Sequence, residues 1–357
     1  MSQAPVIVWF RNDLRLGDHP ALRAAVEADG PVLAVYVLDD AAAGTWRPGG
    51  ASRWWLHHSL ARLGESLAAK GCPFVLRRGD TLEIIPSLAA DVGAETVTCS
   101  RAFEPWSRQL EEALNQRLGE SGRRLRRFSG TLLHDPVQLL SKSGGPYKVF
   151  TPFWRAMAAT PQREPVKAPP HFKTFEGAVE SEDLEDWELL PRNPDWAGGL
   201  REAWTPGEEG ARARLEAFLD EAINDYADKR NLPGQTGTSR LSPHLRFGEI
   251  SPAQIWQAVQ ARLARGDAGG KGADVFLSEI AWREFSYHLL HHFPSLPVAS
   301  FREAFENFPW QDAPDELAAW QQGRTGYPIV DAGMRELWHT GWMHNRVRMI
   351  VASFLTK

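Results

Sequence analysis

The feature that most constrains the fold is a regular alternation of short apolar runs and helix-like segments over the first third of the chain. Short runs of β-branched and aromatic residues form parallel strands that are buried on both faces. Five such runs are present, at Val6–Phe10, Val32–Leu38, Phe74–Leu76, Thr96–Cys99 and, more weakly, Leu125–Phe128. Between them, leucines at 56, 60, 63 and 67 share one helix face. This alternation predicts a Rossmann-like α/β domain over residues 1–135.

The turn after the first predicted strand argues against ordinary dinucleotide binding in this domain. It reads Arg11-Asn12-Asp13-Leu14-Arg15 and has none of the glycines of the G-x-G-x-x-G motif. Those glycines let the backbone approach a pyrophosphate closely. Any dinucleotide that this chain binds is therefore expected elsewhere.

The rest of the chain changes character twice. Residues 136–210 are rich in proline, glycine and charge, which predicts an interdomain linker that lies over the surface. Residues 211–357 show helical periodicity without strand patterns, which predicts an all-α C-terminal domain. The final segment, Asn345–Lys357, is an apolar helix pattern without a cap, so we expect this second domain to be incomplete at its C-terminus.

Composition excludes several classes of protein. A length of 357 residues predicts two or three domains. The net charge of −5 argues against a surface coated in positive charge but leaves room for a local basic groove. Two cysteines are too few for a disulfide framework or a cysteine-built metal site, and they suit the cytoplasm. No apolar stretch is long enough to predict a membrane span, and the first residues do not resemble a signal peptide.

One segment that could bind a ligand is the polar loop Gly237-Thr238-Ser239-Arg240-Leu241-Ser242-Pro243. Backbone N–H groups and hydroxyls at the start of a helix form an anion site. The alternative is that Ser242-Pro243, like Ser251-Pro252, is a plain helix N-cap followed by proline. The spacing alone leaves both interpretations open.

Two further segments offer groups that can contact nucleic acid. Glu279, Trp282, Arg283 and Ser286 fall on one helix face, where a carboxylate could bind a base edge beside a stacking indole. The alternative there is a surface Glu279–Arg283 ion pair beside a core tryptophan. The segment Trp342-Met343-His344-Asn345-Arg346 precedes an apolar helix, and its alternative is a solvated basic turn.

Taken together, these segments resemble the DNA photolyase/cryptochrome flavoprotein family over essentially the whole chain. The resemblance rests on Val-Trp-Phe-Arg-Asn-Asp-Leu-Arg-Leu near the start, Gly-Thr-Ser-Arg-Leu-Ser-Pro-His-Leu-Arg-Phe-Gly-Glu, Glu-Ile-Ala-Trp-Arg-Glu-Phe and Thr-Gly-Tyr-Pro-Ile-Val-Asp-Ala-Gly-Met-Arg. It implies an α/β antenna domain followed by an all-α FAD-binding domain. Trp-Met-His-Asn-Arg is similar to the segment of bacterial photolyases of class I or III, which repair cyclobutane pyrimidine dimers.

The resemblance also implies roles for individual residues. FAD would be bound by Tyr226, Thr238, Ser239, Arg240, Leu241 and Ser242, with Arg348 beside the flavin ring. The extruded pyrimidine dimer would be contacted by the catalytic residues Glu279, Trp282, Asn345 and Met349. UV-damaged DNA would be held by Arg230, Arg283 and Arg346 together with Glu279, Trp282 and Asn345. Trp310 would be the outer electron-relay tryptophan.

The activity that the resemblance implies is light-driven dimer repair by electron transfer from reduced FAD, in a monomer with no metal and no membrane. The alternatives are a cryptochrome-like blue-light sensor or an inactive fragment that binds flavin poorly. For an antenna, Trp54 and Trp55 with the turn from Arg101 to Arg108 could flank the pterin of 5,10-methenyltetrahydrofolate. A deazaflavin or no antenna remains an alternative.

Overall fold

The N-terminal part is a parallel α/β sheet, as the alternation predicts. A computed structural model describes residues 3–356. Its five strands are β1 (Val6–Phe10), β2 (Val32–Leu38), β3 (Phe74–Arg78), β4 (Thr96–Ser100) and β5 (Arg124–Phe128). All pairs are parallel, and the order across the sheet is β3-β2-β1-β4-β5. The five predicted strands are therefore confirmed.

Helices cover both faces of this sheet, which explains why the central strand β1 is apolar on both faces. They are α1 (Pro20–Glu27), α2 (Gly50–Ala68), α3 (Thr81–Asp91) and α4 (Pro105–Gly119). Every residue of β1 and β4 is buried. The neighbours of β1 are β2 on one side and β4 on the other, so the direction of winding reverses at β1. The carboxyl ends of β1 and β4 therefore border the crevice where sheets of this kind bind ligands.

The segment predicted as a surface linker is more ordered than its composition suggests. It contains α5 (Phe150–Ala159) and α6 (Gly198–Ala203). Phe153 and Met157, four residues apart on α5, are buried in the core of the helical part. Farther along, the Glu182 N–H donates to the Leu76 carbonyl at 2.9 Å, which closes the open edge of β3. The high proline and charge content of the segment made these buried apolar residues difficult to predict from the sequence.

The remaining elements are all helical, as predicted for this half of the chain. They are α7 (Glu208–Glu221), α8 (Tyr226–Lys229), α9 (Ser242–Phe247), α10 (Pro252–Arg265), α11 (Gly270–His292), α12 (Pro314–Gln321), α13 (Pro328–Thr340) and α14 (Asn345–Thr356). The longest, α11, has both core-facing and exposed positions around its circumference. None of the helices between residues 3 and 356 is both long and apolar enough to cross a bilayer.

A buried carboxylate fixes the junction between the two parts. Glu249 has no exposed surface and accepts hydrogen bonds from Trp55 Nε1 at 2.9 Å and from the Gly207 N–H at 2.7 Å. His244 Nδ1 lies 2.5 Å from its other oxygen. Burying an ionised carboxylate is costly unless such partners compensate for lost water. The junction is therefore specific, and it holds the helical domain in one orientation against α2.

Candidate functional site

The centre of the candidate site is an ion pair between α8 and α11. Arg230, directly after α8, places its Nη1 atom 2.7 Å from Oε1 of Glu279 on α11. The Arg230 guanidinium also lies over the Tyr226 ring, 5.5 Å from its centroid. Arg230 is 13% exposed and Glu279 is 27% exposed, so the pair lies at the protein surface but is partly screened from water. The surface Glu279–Arg283 pair considered as an alternative from the sequence does not form.

One turn after Glu279, an indole presents a free face. The Trp282 ring stacks on Phe150, with centroids 3.7 Å apart and planes within 9°. Its side chain is nevertheless 44% exposed, so Trp282 is not a core residue. Phe150 fixes one face of the indole and leaves the other accessible, which suits stacking on a planar ligand. Sequence reasoning missed Phe150 because it lies in the segment interpreted as a linker, far from α11 in the chain.

The start of α14 lies beside this pair. Arg346 donates from Nε to Oδ1 of Asn231 at 2.7 Å, and Asn231 directly follows Arg230. Met349 lies one turn further along α14, with its sulfur 3.5 Å from Arg346 Nη1. Asn345 and Met349 are both exposed. The structure thus brings Arg230, Glu279 and Arg346 together, and Asn231 is a partner that the sequence pattern did not reveal.

Arg283 lies away from this cluster. Its Nη1 atom donates to the Thr131 carbonyl at 3.0 Å, and its guanidinium lies over the Tyr287 ring. The bond to Thr131 ties α11 to the segment after β5. The geometry favours a structural role for Arg283, and its predicted contact with DNA stays a prediction.

The polar loop before α9 is open rather than capped. Leu241 is the N-cap residue and makes no side-chain cap, so the Ser242 hydroxyl is not used to cap α9. Ser251, in contrast, is the N-cap of α10 and forms a capping box with Gln254. The alternative of a plain N-cap therefore holds for Ser251 and not for Ser242. Thr238 and Ser239 are half-buried, Leu241 is buried and Ser242 is exposed.

Arg240 shows the local strain that often accompanies a binding loop. Its φ is +52°, a left-handed conformation that is uncommon for residues other than glycine. Its guanidinium lies between the Trp204 and Trp342 rings, 4.8 and 4.6 Å from their centroids. Burial and the neighbouring Arg214 lower the Arg240 pKa from its ordinary value.

One buried nitrogen in this loop, Nε of Arg240, has no partner within residues 3–356. His344 lies beside Trp342, accepts from the Arg346 N–H on Nδ1 at 3.2 Å and faces the Arg230 backbone. A buried donor without a partner points to a missing acceptor. Together with the hydroxyls of Thr238, Ser239 and Ser242, the Arg240 N–H fits a phosphate-bearing cofactor.

Three other predicted residues lie at different depths. The Tyr226 ring packs against Phe218 and Phe276, and burial raises the pKa of its phenol to about 12. Arg348 on α14 is exposed. Trp310 is 65% exposed and lies against Phe308, with centroids 4.6 Å apart. Their predicted roles, contact with FAD for Tyr226 and Arg348 and electron relay for Trp310, stay predictions.

The expectation for the antenna residues is wrong in one respect. Trp54 and Trp55 are only 2% and 4% exposed and belong to the core, so neither can flank a pterin. A different pair of indoles is parallel and partly exposed. The Trp46 and Trp106 rings are parallel to within 6°, with centroids 6.1 Å apart, and Trp46 is 51% exposed.

Two cavities lie at the carboxyl ends of the strands. The one at the winding reversal, bordered by Arg11, Asp13, Ser100 and Arg101, has a volume of about 30 Å³, which is room for a water or two. The other lies at the ends of β2 and β3, has a volume of about 480 Å³ and is bordered by Asp39, Arg78 and Leu110. Leu110 follows Trp106 by one turn of α4, so this larger cavity opens close to the parallel indoles. No group of three His, Cys, Asp or Glu residues within the described chain is arranged to hold a metal ion.

Comparisons with known proteins agree with this architecture. Residues 6–171 match the model for DNA photolyase, and residues 276–357 match that for the FAD binding domain of DNA photolyase. A deoxyribodipyrimidine photo-lyase from Agrobacterium fabrum is 49% identical over all of this chain and 74% of its own length. Cryptochrome-2 from Arabidopsis thaliana is 36% identical, over 98% of this chain and 59% of its own length.

Solved structures give the same result. The crystal structure of a bacterial class III photolyase from Agrobacterium tumefaciens superposes with a TM-score of 0.96 at 48% identity, covering all of this chain and 73% of that one. A cryptochrome from Synechocystis gives a TM-score of 0.88 at 30% identity, covering all of this chain and 76% of that one. By sequence and by fold, the chain belongs to the DNA photolyase/cryptochrome family.

Proposed function

We propose that this protein is a deoxyribodipyrimidine photo-lyase, which repairs cyclobutane pyrimidine dimers in UV-damaged DNA with light and reduced FAD. The observation that carries the proposal is the pairing of Glu279 with Trp282 on one face of α11. The indole is held on one side by Phe150 and open on the other. A carboxylate beside an open indole face, flanked by arginines, suits a base that has left the duplex stack.

Each side chain of this surface has a distinct part in the reaction. Glu279 accepts a hydrogen bond from an N–H on the edge of the extruded pyrimidine and so fixes its orientation. Trp282 stacks on the pyrimidine face and excludes water from it. Asn345 and Met349 border the same space from α14. Arg230 and Arg346 bind the phosphates next to the lesion.

The residues that would hold FAD belong to the loop before α9. Thr238, Ser239 and Ser242 present hydroxyls to the phosphates, and Arg240 presents a buried N–H that lacks a partner. Bound there and reduced, FAD supplies a light-driven one-electron transfer to the dimer. The chain's own contribution is to hold the dimer against this cofactor and keep the pocket dry.

Cryptochromes share the fold, so repair must be separated from light sensing by experiment. The test incubates the FAD-loaded, reduced protein with an oligonucleotide that contains one thymine dimer, in blue light and in the dark. We expect dimers to disappear only in the light and only with reduced cofactor. Flavin photochemistry that leaves the dimers intact would refute repair and favour a sensor.

For the antenna, we propose that the pterin of 5,10-methenyltetrahydrofolate stacks on the exposed Trp46 indole, which lies parallel to Trp106, and extends into the cavity at the ends of β2 and β3. The support is the parallel orientation of the two partly exposed indoles, since planar rings stack on such faces. Trp46→Ala is expected to abolish retention of the added folate, measured by absorbance after gel filtration. Trp338→Ala, which removes an 81% exposed indole on α13, is the control. Equal retention by the two variants would contradict this placement.

We further propose that the protein acts as a monomer in the cytoplasm. Both cysteines, Cys72 and Cys99, are unpaired and buried, and burial raises the pKa of each thiol to about 12. Such thiols suit a reducing compartment. Sedimentation equilibrium of the purified chain tests the monomer.

A further inference from the structure

The two arginines assigned to DNA phosphates differ in their electrostatic surroundings. Arg346 donates to the neutral amide of Asn231, so its positive charge stays uncompensated. No carboxylate within residues 3–356 lies within 4.0 Å of it. Arg230, in contrast, donates to the carboxylate of Glu279 at 2.7 Å. One of the two phosphate-binding charges is therefore neutralised in the free protein, and the other is not.

The geometry of the ion pair between Arg230 and Glu279 allows Arg230 to change its partner. It consists of one hydrogen bond rather than the two parallel bonds that a guanidinium and a carboxylate can form. Both side chains reach the surface, at 13% and 27% exposure. A DNA phosphate can accept two hydrogen bonds from the Arg230 guanidinium. It can do so only if the hydrogen bond between Arg230 and Glu279 breaks.

The chemistry of Glu279 links that exchange to the lesion. The same carboxylate is the group that accepts a hydrogen bond from an extruded pyrimidine. We propose that Glu279 is a specificity-determining residue which masks Arg230 against undamaged DNA and releases it to a phosphate when a flipped base occupies the pocket. This inference rests on the proposed function, because it requires the pyrimidine dimer to bind at Glu279. Undamaged duplex offers no extruded base, so Arg230 stays paired and contributes little to binding.

The test measures the affinity of the full chain for undamaged duplex DNA as a function of salt. Glu279→Gln removes the charge and keeps the shape, which leaves Arg230 free. We expect this variant to bind undamaged duplex about two- to fivefold more tightly, the range that an exposed ion pair corresponds to. Its plot of log affinity against log salt is expected to steepen by about 0.9, the value for one additional phosphate contact.

Two controls isolate the pair from a general change in charge. Glu65→Gln removes an exposed carboxylate that pairs with Arg62 on α2, far along the chain, and is expected to leave the salt slope unchanged. The double variant Arg230→Gln/Glu279→Gln is expected to return the salt slope to the wild-type value, since the unmasked charge is gone. For duplex with a thymine dimer, Glu279→Gln is expected to weaken binding. The ratio of the affinity for dimer DNA to that for undamaged DNA therefore falls, because the first affinity decreases and the second increases.

The possible results separate this inference from the proposed function. If the wild type prefers dimer DNA but Glu279→Gln binds undamaged duplex with unchanged affinity and slope, masking is wrong and the repair site stands. If Glu65→Gln and Glu279→Gln change the slope equally, the effect is net charge alone and masking is again wrong. If the wild type shows no preference for dimer DNA and no light-dependent repair, the proposed function itself fails.

Discussion

At the scale of single residues, the most informative feature is a large aromatic side chain that is exposed to solvent. Trp282 is a large aromatic residue on a long, packed helix, yet 44% of its side chain is accessible. Its neighbour in space, Phe150, comes from another helix and stacks on one face only. Leaving so much apolar surface in water lowers stability, since burial of an aromatic ring contributes favourably to folding. The proposed function accounts for this exposure by a base that stacks on the indole.

We therefore expect Trp282→Ala to weaken binding of duplex that contains a thymine dimer by roughly 1–3 kcal/mol, the usual value of one base–aromatic stack. Binding of undamaged duplex is expected to change little, because the indole meets only an extruded base. Fluorescence anisotropy with the two duplexes measures both affinities. Trp338→Ala is the matched control, an exposed indole on α13. The same loss in both variants, or in neither, would contradict the stacking role.

The scale of secondary-structure elements shows what local sequence can predict and what it cannot. Short apolar runs predicted all five strands: β1 and β4 are buried throughout, and even β5 at the sheet edge buries Leu125. The arrangement of the site could not be predicted as well from the sequence. Arg230 and Glu279 lie 49 residues apart, and Arg346 and Asn231 lie 115 apart. Such contacts depend on how α8, α11 and α14 pack, and no local spacing encodes that packing.

The end of α9 gives a prediction at this scale. Gly248 terminates the helix with φ +68°, and a Cβ built there would lie 2.0 Å from the Asn12 carbonyl oxygen. Gly266 terminates α10 with φ +76°, but a Cβ there would meet nothing within 4 Å. Both alanine variants share the cost of a left-handed residue, about 1–2 kcal/mol. Gly248→Ala adds a backbone clash at the domain junction.

We expect the free energy of unfolding to fall by roughly 2–3 kcal/mol more for Gly248→Ala than for Gly266→Ala, because overpacking a tight contact costs about that much. Urea denaturation followed by circular dichroism measures both values. Equal losses would show that the close approach of Gly248 to the turn after β1 does not hold the junction together.

On the scale of the whole molecule, buried ionisable groups join the two domains and make stability depend on pH. Glu284 on α11 accepts the Leu133 N–H at 2.8 Å, from the segment after the sheet. Burial raises the pKa of Glu284 to about 7. The folded protein thus keeps a proton that the unfolded chain loses, so the stability that this proton confers is complete below pH 4.5 and is lost as the pH rises through 7.

In the variant Glu284→Gln, an amide that is uncharged at every pH replaces the carboxyl group and resembles its protonated form. We expect it to match the wild type near pH 4.5 and to exceed its free energy of unfolding by about 3 kcal/mol at pH 8, from the size of the pKa shift. His288 has the opposite effect, since burial lowers its pKa to about 4 and its contribution is lost as the pH falls. It is present in both proteins and cancels in the difference. A difference that does not vary with pH would contradict the assignment.

The central claim is that the surface formed by α11 and the start of α14 takes up an extruded pyrimidine dimer. The most direct measurement places a fluorescent adenine analogue opposite a thymine dimer in a duplex and follows its emission as the full chain is added. Extrusion of the dimer unstacks the opposite base, so we predict a rise in emission with the wild type that Trp282→Ala and Glu279→Ala abolish. An unchanged emission with the wild type, or the same rise with both variants, would contradict the account.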